Sequence, residues 1–142
     1  MEHTALVWLQ IPAENITRAA EFYNKVFGFE FFFEELNNIP HAVFKANAKG
    51  LRPVNGTLVE SKNMNRETSG CVLFFEATGQ FEFMTQNIVN NGGEIVIAKT
   101  LIKKKIDATS GTIPNTYIDG KPGYFAHFRD SEGNKMGLYG SH

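Results

Sequence analysis

With 142 residues, 42% of them hydrophobic, and a net charge of −1, the chain fits one compact domain or two half-sized modules and is not disordered. Near-neutral charge gives no basis for nucleic acid or an anionic membrane as a partner, and no run approaches the ~18 apolar residues of a membrane span. A single cysteine, Cys71, excludes an intramolecular disulfide and a thiolate metal cluster.

In chain order, "ALVWLQI" (Ala5–Ile11) is rich in strand formers and predicts a first strand. "PAENITRAAEFYNKVFG" predicts a helix, with Asn15 or Thr17 as its cap and Glu14 beside its positive end. Ala19, Phe22, Tyr23 and Val26 recur at helical spacing and face the core, and Gly28 stops the helix. "FEFFFEEL" predicts a strand with Glu30 and Glu34 on one face and aromatics dominating the other. "HAVFKAN" and "VNGTLVES" complete three strands after the helix.

The order then repeats. "CVLFFEA" predicts a strand, with Cys71 expected as a buried structural thiol. A helix runs from about Gln80, with Phe83, Ile88 and Val89 as core candidates and Gly92-Gly93 at its end. "EIVIAKTLI", "YFAHFRD" and "KMGLYG" predict three more strands. The junction falls near Arg66–Gly70, which divides the single 1–142 domain into modules 1–68 and 69–142. Residues 103–123 interrupt the second half with several turn formers, as a lid or as an extended hairpin. Lys103-Lys104-Lys105 at its start is a solvated loop or strand edge. Thirteen phenylalanines exceed ordinary use; much of this surplus is expected in the core, and the rest could line an apolar cavity.

The stretches "VWLQIPAENITRAAEFYNKVFGFE" and "DSEGNKMGLYGS", with "VNGTLVES" and "NNGGEIVIAKTLI" between them, resemble the vicinal oxygen chelate superfamily. This is the glyoxalase/bleomycin-resistance/dioxygenase group. The resemblance implies an α+β fold of two tandem βαβββ modules, forming a curled eight-stranded mixed sheet around a cavity. It also implies a homodimer.

Metal-dependent members of that group take His or Glu ligands from inward-facing strand positions. Those positions fall here on Leu6, on or near Val72, around Thr57 to Val59, and on Gly137. None of these can donate as the family requires, and Glu60, the nearest carboxylate, is displaced. No metal and no cofactor are therefore expected, unless a site is rebuilt from His3, His41, His127, Glu60 or Glu76. Gly137 would leave room where a ligand side chain otherwise stands.

Strand alternation points Leu6, Trp8 and Gln10 to one face, and by pseudo-symmetry Val72, Phe74 and Glu76, with Lys135, Gly137 and Tyr139 from the closing strand. Trp8, Gln10, Phe74, Glu76, Lys135, Gly137 and Tyr139 are thus the expected binding residues for a small organic molecule, with Trp8 alternatively a core residue. Trp8 could stack on a planar or cationic ligand, and Glu76 could supply a counter-charge. Glu76, His41 and His127 are the candidates for a general base should the protein be an enzyme. A lyase, isomerase or dioxygenase is the alternative that the resemblance carries. With no basic and apolar leader in the sequence, the cytoplasm is the expected compartment.

Overall fold

The first helix forms where its sequence directs. In the computed structural model, which describes residues 6, 8–50, 52–62, 71–105 and 111–142, α1 spans Ile16–Phe27. Asn15 is its cap, accepting the Arg18 N–H at 3.0 Å, and Gly28 closes it in the left-handed region at φ 75°. Ala19, Phe22, Tyr23 and Val26 are all buried, as their spacing predicts.

By its internal contacts the chain divides into two compact units, Met1–Arg66 and Glu67–His142. The expected junction near Arg66–Gly70 lies outside the described residues, as does His3.

In the first unit β1 (Leu9–Ala13), β2 (Glu30–Leu36), β3 (Ile39–Lys45) and β4 (Gly56–Glu60) form a mixed sheet in the order β1-β4-β3-β2. β1 pairs parallel with β4, and the other neighbours are antiparallel. Strand β1 runs later in the sequence than Ala5–Ile11 because its register is set by β4, from Leu9 against Gly56 to Ala13 against Glu60. It tolerates Pro12 as an edge strand that can spare an N–H. Ile11, Ala13, Leu58, Ala42 and Phe44 are buried on one face of this sheet; Gln10 and Pro12, both exposed, alternate to the other, which also carries buried Thr57 and His41. The aromatic run of β2 is an edge rather than core: Phe31 packs on Phe44 with ring centroids 5.0 Å apart, while Phe32 and Phe33 are exposed. Lys45 covers Phe32, 5.1 Å from its centroid.

The second unit repeats the plan strand for strand. β5 (Phe74–Glu76), β6 (Glu94–Leu101), β9 (Gly123–Arg129) and β10 (Lys135–Ser141) lie in the order β5-β10-β9-β6, with β5 parallel to β10 and the rest antiparallel. Two four-stranded mixed sheets, each with one helix and neither closed, thus carry the two βαβββ modules. Helix α2 (Phe81–Asn90) buries Phe81 and Ile88, seven residues apart and so on one stripe. Phe83 and Val89, expected in the core, point off that stripe and are each 56% exposed. Cys71, expected buried, is exposed because β5 begins only at Phe74.

What the second module adds is an insertion between β6 and β9. It opens with a hairpin of β7 (Lys103–Lys105) and β8 (Thr112–Pro114) and continues as a tight turn pinned by the Thr116–Pro122 bridge. The extended-hairpin reading of residues 103–123 therefore accounts for the hairpin base, and the three lysines form β7. No helix among the described residues is long and apolar enough to cross a membrane.

Candidate functional site

Register fixes which side chains share the open face of the second sheet, the side away from buried Leu138, Ala126 and Phe128. One row across it is Phe74, Gly137, His127 and Ile97; the next is Glu76, Tyr139, Phe125 and Thr100. The aromatic rings meet edge to face. Phe74 lies 5.5 Å from His127 and 6.5 Å from Tyr139, and Phe125 lies 5.4 Å from His127, centroid to centroid.

The insertion completes this face. Its turn carries Tyr117, whose ring meets Tyr139 at 4.8 Å and whose hydroxyl donates to Glu76 Oε1. Asp119 in the same turn accepts a hydrogen bond from Ser141 Oγ on β10. Two side-chain bonds therefore moor the turn to the rim of the sheet. The other carboxylate oxygen, Glu76 Oε2, accepts the Thr78 N–H at 2.9 Å and the Thr78 hydroxyl at 2.7 Å. Gly140 permits that approach, since a Cβ there would lie 2.5 Å from the Thr78 nitrogen.

The electrostatics follow from these contacts. Burial pushes the Glu76 carboxyl up, but the hydrogen bonds from Tyr117 and Thr78 outweigh it and hold the group below its ordinary 4.5. The partner feels the reverse: the Tyr117 phenol is pushed up to about 12, chiefly because its proton is held by Glu76. His127 is pushed below its ordinary 6.5 by burial and, secondarily, by the Lys135 charge. Its Nδ1 is buried with no hydrogen-bond partner among the described residues. The face thus presents an ionised carboxylate, an aromatic wall and a neutral imidazole.

Of the residues expected from sequence, Phe74, Glu76, Gly137 and Tyr139 come together here. Lys135 stands on the same strand at its start, opposite Arg129. Trp8 and Gln10 belong to the first unit, where Gln10 is exposed and Trp8, with the same parity, is 48% exposed rather than core. His41 is also in the first unit, only 7% exposed and turned to its own backbone, with Nδ1 2.7 Å from the Ile39 carbonyl. The sequence reading missed Tyr117 and Phe125 as wall residues. Phe125 was legible from its alternation with His127, but nothing local marks Tyr117, which arrives through the insertion.

Gly137 does not leave the room expected of it. The Phe74 ring occupies that space: a Cβ on Gly137 would lie 2.3 Å from Phe74 Cδ2 and Cε2. A carboxylate there would collide with the ring at its first atom. The other family ligand positions fit a metal no better. Leu6 is 79% exposed, Thr57 is fully buried with its hydroxyl 2.7 Å from the Leu58 carbonyl, and Val72 has no donor. Glu60 falls in register with buried Ala13 and pairs with Lys62 at 3.3 Å. Among the described residues no three His, Cys, Asp or Glu side chains cluster as ligands. The residues present therefore do not fit the family metal.

A groove of about 610 Å³ lies between α2 and β6, lined by Phe81, Val89 and Ala98 among others. Its aromatic side is already covered by Lys99, 5.0 Å from the Phe81 centroid and 4.5 Å from that of Tyr124. The open face has no such internal cation on its rings among the described residues.

Tandem βαβββ modules, each with one helix and a mixed four-stranded sheet, define the class of fold. The Glyoxalase/Bleomycin resistance protein/Dioxygenase superfamily model matches residues 3–138, and the chain belongs to this superfamily. Solved structures with the same fold include a hypothetical protein, SA1046, from S. aureus (14% identity, TM-score 0.61, 97% of this chain and 95% of that one). Another is a glutamate-to-glutamine mutant of the fosfomycin resistance protein FosX from Listeria monocytogenes, complexed with Mn(II) and a dihydroxypropylphosphonic acid (13%, 0.62, 98% and 93%). A glutamate-to-glutamine mutant of glyoxalase I from Zea mays is similar at 14% identity and TM-score 0.60, over 95% of this chain and 46% of that one. At these identities the likeness is one of fold. No curated protein matches the sequence.

Proposed function

We propose that this protein binds a small organic molecule against the aromatic face of its second module, without the metal site used elsewhere in the superfamily. The observation that carries the reading is the Phe74 ring standing over Gly137, where a family ligand would project, inside a wall that also contains Tyr117, Phe125 and Tyr139. An apolar wall with a few converging polar groups is the usual make-up of a small-molecule site. In this reading 1–142 acts as one domain of two modules, 1–68 and 69–142, in a cytoplasmic homodimer.

His127 supports a second reading, metal-free proton transfer. Its buried Nδ1, without a hydrogen-bond partner among the described residues, stands among the rings on an imidazole that burial keeps neutral, the form a general base requires.

The test has two arms on untagged protein. A library of small aromatic and aliphatic compounds is screened by NMR, and hits are expected to shift Phe74, Phe125, Tyr117 and Tyr139 together. Hits that map only elsewhere would remove this face as the site. In the second arm Ni, Zn, Fe and Mn are offered, dialysed away and quantified per chain. Near-stoichiometric retention of one metal would overturn the metal-free reading, and lyase, isomerase and dioxygenase assays would then follow.

A further inference from the structure

We propose that the occupant of this face is an organic cation, a quaternary ammonium or protonated amine, held against Phe74, Tyr139 and Tyr117 with Glu76 as its counter-charge. The proposal rests on the ligand-binding reading above and names the chemical class that the site selects.

Glu76 is the charged group of this face. Its carboxylate receives three hydrogen bonds, from the Tyr117 hydroxyl and from the Thr78 N–H and hydroxyl, and every donor is neutral. Among the described residues no lysine or arginine forms an ion pair with it. The hydrogen bonds orient the group and favour its charged form but leave its negative charge uncompensated.

The surroundings are those that a cation prefers. Tyr139 is the register partner of Glu76, Tyr117 meets Tyr139 edge to face, and Phe74, 47% exposed, adjoins Tyr139 on the next row. Aromatic faces carry negative potential, so rings beside a carboxylate attract a diffuse, weakly hydrated cation more than a small, strongly hydrated one. The same carboxylate disfavours anions, whose charge it would repel. A neutral apolar molecule would gain the rings but nothing from Glu76.

Elsewhere the protein already uses this chemistry on itself. Lys45 lies over Phe32, and Lys99 lies over Phe81 and Tyr124. On the open face of the second module the carboxylate, itself exposed, and the rings are assembled, and among the described residues no lysine or arginine covers them. The insertion supplies Tyr117, so this arrangement belongs to the second module.

The experiment compares choline with 3,3-dimethylbutan-1-ol, its neutral isostere of nearly equal shape, titrated into the full chain and followed by NMR. Choline is expected to shift Phe74, Tyr117 and Tyr139 and to bind about tenfold more tightly than the isostere. Glu76→Gln, which keeps an acceptor for Tyr117, should bring choline most of the way down toward the isostere, the rings alone keeping a small residual preference. A protonated amine, 3,3-dimethylbutylamine, distinguishes the two sources of charge: tighter binding than choline points to a hydrogen-bonding ammonium, weaker binding to a quaternary one. Equal affinity for choline and the neutral alcohol in the unaltered protein would overturn the cation assignment while leaving ligand binding intact. That comparison needs no variant to fold. If choline, the alcohol, the amine and neutral aromatics all leave these residues unshifted, the cation assignment and the ligand-binding reading both fail.

Discussion

Replacing Gly137 by alanine tests the packing on which the loss of the metal position rests. The new Cβ would lie 2.3 Å from two atoms of the Phe74 ring, about 1.2–1.7 Å inside ordinary carbon contact. β10 is held between β5 and β9, so the strand cannot retreat, and the ring must move instead. Phe74 is 47% exposed and has somewhere to go, but moving disturbs its edge contacts with His127 and Tyr139. Overpacking of this kind costs about 1–3 kcal/mol, a fall in Tm of roughly 3–8 °C for a chain of this size. With Phe74→Ala in the background the clash is gone. The loss of glycine's freedom in the unfolded chain then leaves Gly137→Ala neutral or stabilising by about 0.4–1 kcal/mol. Urea melts of the four proteins in this double-mutant cycle should therefore show a coupling of about 1–4 kcal/mol. If Gly137→Ala costs the same with and without the Phe74 ring, the ring does not fill that space and the reasoning fails.

Tyr117→Phe removes one donor from Glu76, so the carboxyl should rise toward its ordinary 4.5, as read by side-chain NMR. Because the folded carboxyl is depressed, its stabilising contribution is present above the unfolded value and lost as pH falls through the folded one; the variant should narrow that window. The same substitution should abolish a tyrosinate absorbance step near pH 12; Tyr117, raised above 10, contributes stability that is lost between those two values. His127 should bind its proton only below 6.5. Its depressed value makes it a source of stability lost on acidification, and Lys135→Met should raise it only in part because burial is the larger cause. An imidazole titration at or above 6.5 would contradict this. Asn15→Ala should cost about 0.5–2 kcal/mol through loss of the helix cap, and an unchanged melting point would remove Asn15 from that role. Cys71 should react with a thiol reagent in the native protein at a rate close to that of the urea-unfolded chain; strong native protection would contradict its exposure.

The sequence determined whatever depends on local pattern. Helical spacing placed Ala19, Phe22, Tyr23 and Val26 in the core, Asn15 and Gly28 marked the ends of α1, and the repeated element order announced two βαβββ modules. It also determined the absence of donors at Leu6, Val72 and Gly137, because ligation needs atoms that those residues lack. Alternation brought Phe74, Glu76, Gly137 and Tyr139 to one face, since a strand's period of two is a local property.

Only the tertiary structure decided the rest. Phe83, Val89 and Cys71 look like core by composition, and their exposure depends on which stripe of α2 meets the sheet and where β5 begins. The aromatic run in β2 is an edge because strand order is set by long-range pairing that no local signal encodes. The fate of the space at Gly137 was undetermined until the parallel register set Phe74 opposite it. Tyr117 reached Glu76, 41 residues away in sequence, only because the insertion folds back onto the sheet. Such contacts depend on chain path and side-chain packing across strands, so they exist only once the module has folded.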